Sequence, residues 1–143
     1  MPPAPIDEST WQALGAAAEE ASGHAYAPYS RFGVGAAVLT SDGKVFAGCN
    51  VENVSYGLTI CAERNAVFSA VTASDRRPEL VAIYITSDPP MVAPPCGACR
   101  QVLAEFGNPQ VSFIGEKGRC TMPLAELLPV PFVSRPTPPT RPT

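Results

Sequence analysis

Residues 33–51 read GVGAAVLTSDGKVFAGCNV. Gly33 to Thr40 is an apolar run that reads as a strand, Ser41-Asp42-Gly43-Lys44 has the Asp-Gly composition of a hairpin turn, and Val45 to Val51 reads as the return strand. Upstream of this hairpin, Ser9 to Ala25 carries Leu14, Ala17, Ala18 and Ala21 at helical spacing, with Asp7 or Ser9 as its cap and Pro28 as its stop. Downstream, Cys61 to Ala73 sets Ala62, Ala66, Ser69 and Ala70 on one helical face, and Leu80 to Thr86 (LVAIYIT) has the apolar, β-branched look of a buried strand. Gly97 to Phe106 reads as a helix ended near Gly107, Val111 to Ile114 and Arg119 to Thr121 as strands around the turn Glu116-Lys117-Gly118, and Pro123 to Leu128 as a short helix with proline in its first turn. The order α-β-β-α-β-α-β-β-α predicts an α/β fold in which one mixed sheet of five strands is covered by helices.

The chain has 143 residues, of which 45% are hydrophobic and 16% charged, so it has the composition of a globular domain and not of a disordered chain. Its length suits one domain, placed at residues 6–133. Three prolines fall in residues 1–5 and six in residues 129–142, so residues 1–5 and 134–143 read as flexible, extended, proline-rich tails. Ten basic and 13 acidic side chains give a net charge of -3, against a dedicated nucleic-acid binder, whose affinity rests on Lys and Arg at phosphates. The longest apolar run, Gly33 to Leu39, is far short of the ~20 residues of a membrane helix. No basic region precedes Arg31, so no signal peptide is expected, and the expected location is the cytoplasm.

Five cysteines, Cys49, Cys61, Cys96, Cys99 and Cys120, are an odd number for a disulfide framework. The Cys96-x-x-Cys99 pair alone fits half a zinc site or a thioredoxin-like redox centre. It lies where a loop with Pro94-Pro95 opens a helix, and a helix start favours thiolate through its free N–H groups and dipole. Cys61 also begins a helix, and Glu63 follows two residues later among small and apolar side chains. If the two helix starts face each other, three thiolates converge beside a carboxylate. Three protein ligands leave a fourth tetrahedral position for water, the plan of a catalytic zinc site.

Cys61-Ala62-Glu63 followed by Pro95-Cys96-Gly97-Ala98-Cys99 resembles the zinc nucleoside deaminases, and the segments 25–30, 48–53, 55–59, 61–66 and 96–103 resemble the small homotetrameric cytidine deaminases. The likeness runs from about residue 13 to 132. It implies a three-layer αβα sandwich, one Zn²⁺ per subunit on Cys61, Cys96 and Cys99, and hydrolytic deamination of cytidine and deoxycytidine to uridine and deoxyuridine plus ammonia, in pyrimidine salvage. By the same likeness, zinc-bound hydroxide attacks C4 and Glu63 shuttles the protons. Arg64 then stands beside the ligand sulfurs and offsets their excess negative charge. Phe32 packs on the base, the Ala62 and Pro95 backbones meet its polar edge, and Asn50 and Glu52 bind the ribose. The Val54 backbone, Tyr56 and Phe132 come from neighbouring subunits of a homotetramer. The implied partner is a small nucleoside, with no nucleic acid and no membrane.

Other readings compete. A structural zinc knot needs Cys49 or Cys120 as a fourth ligand, although plain packing in strands accounts for both. A related deaminase of another aminopyrimidine nucleoside differs at Phe32, Asn50 and Glu52. A non-catalytic zinc module has no use for Glu63. His24 is expected at the surface, Arg76-Arg77 in a solvated turn, and Arg100 in a structural contact.

Overall fold

The computed structural model describes residues 2–134; Met1 and most of the expected carboxy-terminal tail, residues 135–143, lie outside the described residues. In chain order the elements are α1 (Glu8–Ser22), β1 (Gly33–Thr40), β2 (Val45–Cys49), a single 3₁₀ turn (Tyr56–Leu58), α2 (Ala62–Ala73), β3 (Leu80–Asp88), α3 (Gly97–Ala104), β4 (Gln110–Gly115), β5 (Gly118–Pro123) and α4 (Leu124–Leu127). The five strands form one sheet in the order β2-β1-β3-β4-β5. Only the β3–β4 pair is parallel; the other neighbours run antiparallel, so the sheet is mixed.

Strand alternation divides the core into two layers. Ala36 and Val38 of β1, Ile83 and Ile85 of β3, and Val111 and Phe113 of β4 face one way and pack with Ala62, Ala66, Val67 and Ala70 of α2, Leu103 of α3 and Leu124 of α4. Ala37 and Ala82 face the other way, onto Leu14 and Ala18 of α1. Helices therefore cover both faces of the sheet, the three-layer sandwich expected. Small residues set the spacing. A Cβ on Gly48 would overlap the backbone N of Ala66 and lie 2.8 Å from the Ala62 carbonyl. The bare strand thus lets the first turn of α2, which carries Cys61 and Glu63, sit against β2. Crowding of backbone against Cβ at such a contact costs about 1–3 kcal/mol.

Several boundaries differ from the sequence reading. The first helix stops at Gly23 rather than near Pro28, and its cap is Asp7, whose Oδ1 accepts from Thr10 N at 2.8 Å. The return strand of the hairpin ends at Cys49, not Val51. Val51 leaves the sheet to bridge Tyr26 and Ile60, which straps residues 50–60 across the end of the strands. Pro123 closes β5 and caps α4 instead of occupying its first turn. No helix among the described residues is long and apolar enough to cross a membrane.

Candidate active site

Cys61 and Cys96 are the N-cap residues of α2 and α3, and Cys99 lies in the first turn of α3, fully buried. The two helix starts do face each other. The three sulfurs lie within 4.8 Å of one another, with Cys61 Sγ and Cys96 Sγ 3.8 Å apart, and none forms a disulfide. Tetrahedral zinc with Zn–S of ~2.3 Å requires sulfurs ~3.8 Å apart, so the donor set fits that ion. Cys49 and Cys120 stand outside this group, which leaves a four-cysteine knot without its fourth thiol among the described residues.

The surroundings favour the thiolate of Cys61. Arg64 Nη2 donates to Cys61 Sγ at 3.5 Å, and Cys99 N donates to Cys96 Sγ at 3.5 Å. The Cys61 thiol is brought down to about 5, chiefly by a hydrogen bond from Cys99 and then by those involving Arg64 and Cys96. Cys99, engaged with Cys61 and buried, is held above the usual thiol range. Arg64 Nε is buried without a partner, so the guanidinium is aimed at the sulfurs at the expense of a better hydrogen-bond geometry for that nitrogen. Beside the sulfurs stands Glu63, 5% exposed, its carboxyl pushed up to about 7 by burial and by the Cys61 charge, against the opposing pull of its backbone hydrogen bond.

Cys61, Glu63 and Cys96 open onto a cavity of about 390 Å³ that Phe32, Asn50 and Glu52 also line. The size suits a small organic molecule. Phe32 reaches this wall because Arg31 turns the chain through a left-handed conformation, φ 56°, and Ser30 Oγ accepts from Phe32 N at 3.0 Å. Asn50 is buried and stitches the same segment: its Oδ1 accepts from Val34 N at 2.9 Å and its Nδ2 donates to the Phe32 carbonyl at 2.8 Å. One amide hydrogen and one lone pair of Asn50 remain for a ligand. Glu52 Oε1 accepts from Tyr29 N and Ser30 N at 3.0 and 3.1 Å, and hydrogen bonds from Ser30 first, then Tyr29, hold its carboxyl below the usual range.

Not every expected residue lies on this cavity. Ala62 does, but Pro94 lines it in place of Pro95, which is buried with its carbonyl accepting from Arg100 Nε at 2.7 Å. The second bond of Arg100, to the Leu127 carbonyl at 2.8 Å, confirms its structural role by tying α3 to α4. Tyr56 packs edge-on against Tyr29 of its own chain, ring centroids 5.8 Å apart, and the two wall a second hollow that shares Ser30, Glu52 and Thr59 with the first. Val54, Tyr56 and Phe132 are 77%, 75% and 81% exposed. The Phe132 ring is not among the side chains lining either hollow, yet its backbone is clamped by Gln101, whose Oε1 accepts from Phe132 N at 3.0 Å and whose Nε2 donates to Phe132 O at 2.8 Å. Sequence reasoning missed this clamp, the lining by Ser30 and Thr59, and Ser87, whose hydroxyl donates to Pro89 O and accepts from Met91 N to shape the loop before Cys96. Ser30, Thr59 and Gln101 do fall inside the segments that carried the resemblance; nothing in the sequence pointed to Ser87.

A sandwich that opens two helices on three thiols, with a buried carboxyl lining the same cavity, defines a zinc-site fold of the deaminase kind. Residues 8–114 match the family described as the cytidine and deoxycytidylate deaminase zinc-binding region, and the chain belongs to that family. Among curated relatives, a cytidine deaminase of Halalkalibacterium halodurans is 58% identical over 82 residues, 57% of this chain and 61% of that protein. One of Mycobacterium tuberculosis is 48% identical over 101 residues, 71% of this chain and 74% of its own length. The crystal structure of a cytidine deaminase from Burkholderia pseudomallei is 46% identical, with a TM-score of 0.78 over 89% of this chain and all of that one. The Mycobacterium tuberculosis crystal structure is 41% identical, with a TM-score of 0.76 over 91% of this chain and all of that one. The Cys61, Cys96 and Cys99 cluster fits one zinc per chain.

Proposed function

We propose that this chain catalyses the hydrolytic deamination of cytidine and deoxycytidine to uridine and deoxyuridine plus ammonia, as a cytoplasmic enzyme of pyrimidine salvage. One observation carries the reading: Cys61 and Cys96 of the three-sulfur cluster and the buried Glu63 line the same cavity as Phe32, Asn50 and Glu52. Zinc, when bound by Cys61, Cys96 and Cys99, supplies Lewis acidity that makes water acidic near neutral pH. Glu63 takes a proton from the attacking water and delivers it to ring N3. It carries the second proton to the amino group at C4, so that a C4–O bond forms, the C4–N bond breaks and ammonia leaves. Arg64 offsets the charge of three thiolates. Phe32 stacks against the base, the Ala62 backbone bounds its polar edge, and Asn50 and Glu52 hold the ribose hydroxyls.

The expected substrate is a free nucleoside. A 5′-phosphate would approach a Glu52 carboxylate kept ionised by Ser30 and Tyr29, in a partly desolvated hollow where like charges repel strongly. Ammonia release is therefore expected from cytidine and deoxycytidine and not from CMP or a cytosine-containing single-stranded DNA at equal concentration. Turnover of CMP or DNA at the nucleoside rate would overturn the role of Glu52, and no release from either nucleoside would overturn the activity. A homotetramer is the assembly proposed, its sites completed in trans by the Val54 backbone, Tyr56 and Phe132, which are exposed here. Phe132→Ala is expected to raise KM while Tyr56 and the zinc cluster stay intact; a fully active monomer in sedimentation would refute the assembly.

A further inference from the structure

Among the described residues, the arm that follows α4 has no regular secondary structure, yet α3 holds it at two points. Arg100 Nη1 donates to the Leu127 carbonyl at 2.8 Å. The next residue, Gln101, takes both backbone groups of Phe132: its Oε1 accepts from Phe132 N at 3.0 Å and its Nε2 donates to Phe132 O at 2.8 Å. A side-chain amide thus does for Phe132 what a neighbouring strand would do, satisfying the one donor and the one acceptor of its main chain. Between the two anchors lie Leu128-Pro129-Val130-Pro131. Each proline fixes its own φ at about −65° and keeps the residue before it extended. The arm is therefore stiff although it belongs to no helix or sheet.

What this arm presents is apolar. Val130, Phe132 and Val133 are all largely exposed, and the Phe132 ring lines neither hollow of its own chain. Apolar surface on an immobilised backbone gains nothing from the folding of one chain; it gains when a second surface takes it out of water. The second hollow, about 450 Å³ between Tyr29 and Tyr56, is such a surface, and it shares Ser30, Glu52 and Thr59 with the cavity at the sulfurs. Gln101 itself stays clear of the zinc cluster. At ~100° per residue it lies ~200° round α3 from Cys99. Cys99 is buried while Gln101 is half-buried, so the amide faces the arm and not the sulfurs.

Within the homotetramer proposed above, on which this rests, we propose that Gln101 is a positioning residue for deamination: by holding the Phe132 backbone it aims the Phe132 ring at the active site of a second copy of this chain. Gln101 touches neither substrate nor zinc and acts only through Phe132. One helix then serves two sites. Cys96 and Cys99 at its start hold the metal of its own site, and Gln101, two residues on, braces the aromatic that closes a neighbour's.

Gln101→Met keeps the length of the side chain and removes both hydrogen bonds. It is expected to raise KM for cytidine about three- to tenfold, the worth of one aromatic contact. The kcat and the zinc content should hold, because loss of uniform binding moves KM alone. Gln101→Glu, which keeps the acceptor for Phe132 N but sets a carboxylate against the Phe132 carbonyl, is the second variant and should behave alike. Phe132→Ala should give the same rise, and Gln101→Met combined with Phe132→Ala no more than either. The decisive measurement uses hybrids: Gln101→Met chains co-expressed with Glu63→Gln chains, with assemblies containing both isolated through two affinity tags. Every working site then belongs to a Gln101→Met chain, and some of these sites receive Phe132 from a neighbour with an intact clamp. A component of turnover with the KM of the unaltered enzyme should therefore return, whereas a purely structural role of Gln101 within its own chain would leave KM raised. The same hybrids with Phe132→Ala in place of Gln101→Met test the assembly separately. Return of the low KM with Phe132→Ala but not with Gln101→Met would overturn the role of Gln101 and leave the shared site standing. An unchanged KM in Gln101→Met alone would do the same, and no return with either variant would overturn the assembly and the proposal with it.

Discussion

Glu63→Gln is expected to leave the zinc content and the fold intact and to lose at least ~10²–10⁴ of the turnover of cytidine, the share that a positioned acid–base group supplies. Glutamine has the shape of glutamate, so the packing of a side chain that is only 5% exposed is preserved. What it lacks is the ability to accept and return a proton. The carboxyl is suited to that exchange because burial raises it to about 7, close to the pH at which it must both take and give. The measurement is steady-state ammonia release, alongside metal content and thermal unfolding of the same preparation. Near-normal deamination by a variant with full zinc occupancy would remove Glu63 from the chemistry and leave the cluster as a structural site.

The second large effect is expected from Cys99→Ala. Cys99 is fully buried in the first turn of α3, and its loss removes one of three thiolates from the cluster. Zinc content should fall by at least about tenfold, because the binding energy of such a site depends on the full ligand set. Deamination should fall with it to background. The void left by one sulfur costs only ~1 kcal/mol, so the sandwich itself should persist. Metal analysis by mass spectrometry and far-ultraviolet circular dichroism separate the two effects. Stoichiometric zinc in the variant would show that the ion is held elsewhere. The contrast with Glu63→Gln is diagnostic: one variant keeps the metal and loses the proton relay, the other loses the metal and keeps the carboxyl.

The two helix starts illustrate how far local sequence reaches. Cys61 and Cys96 both follow proline- or glycine-containing loops and precede small, apolar, helix-forming runs, so their place at N-caps was legible from local chemistry alone. The hairpin was legible for a similar reason, since Asp42-Gly43 leaves few backbone choices, and Gly43 does adopt φ 84°. Several ends were misplaced, among them the third helix, which stops at Ala104 and not Phe106, and Pro123, which closes a strand. The first helix and the return strand both stop short, at Gly23 and Cys49, because a pattern of spacing does not register the cap or bridge that competes for the last backbone groups. The site residues split along the same line. Glu63, Phe32, Asn50 and Glu52 were read from motifs and meet on one cavity, whereas the roles of Pro94, Ser30, Thr59 and Gln101 depend on loops packing against one another.

By itself the sequence determined the element order, the α/β class, the thiol and carboxylate inventory and the family likeness, because each follows from short-range spacing and residue chemistry. The tertiary structure decided the rest. It set the order β2-β1-β3-β4-β5, which brings two helix starts 35 residues apart in the chain to a 3.8 Å sulfur contact. It also assigned Asn50 to the backbone of Phe32 and Val34. Such pairings depend on which strands lie side by side and how closely a helix can approach a glycine in a strand. These are long-range packing choices, and no local window of sequence contains both partners.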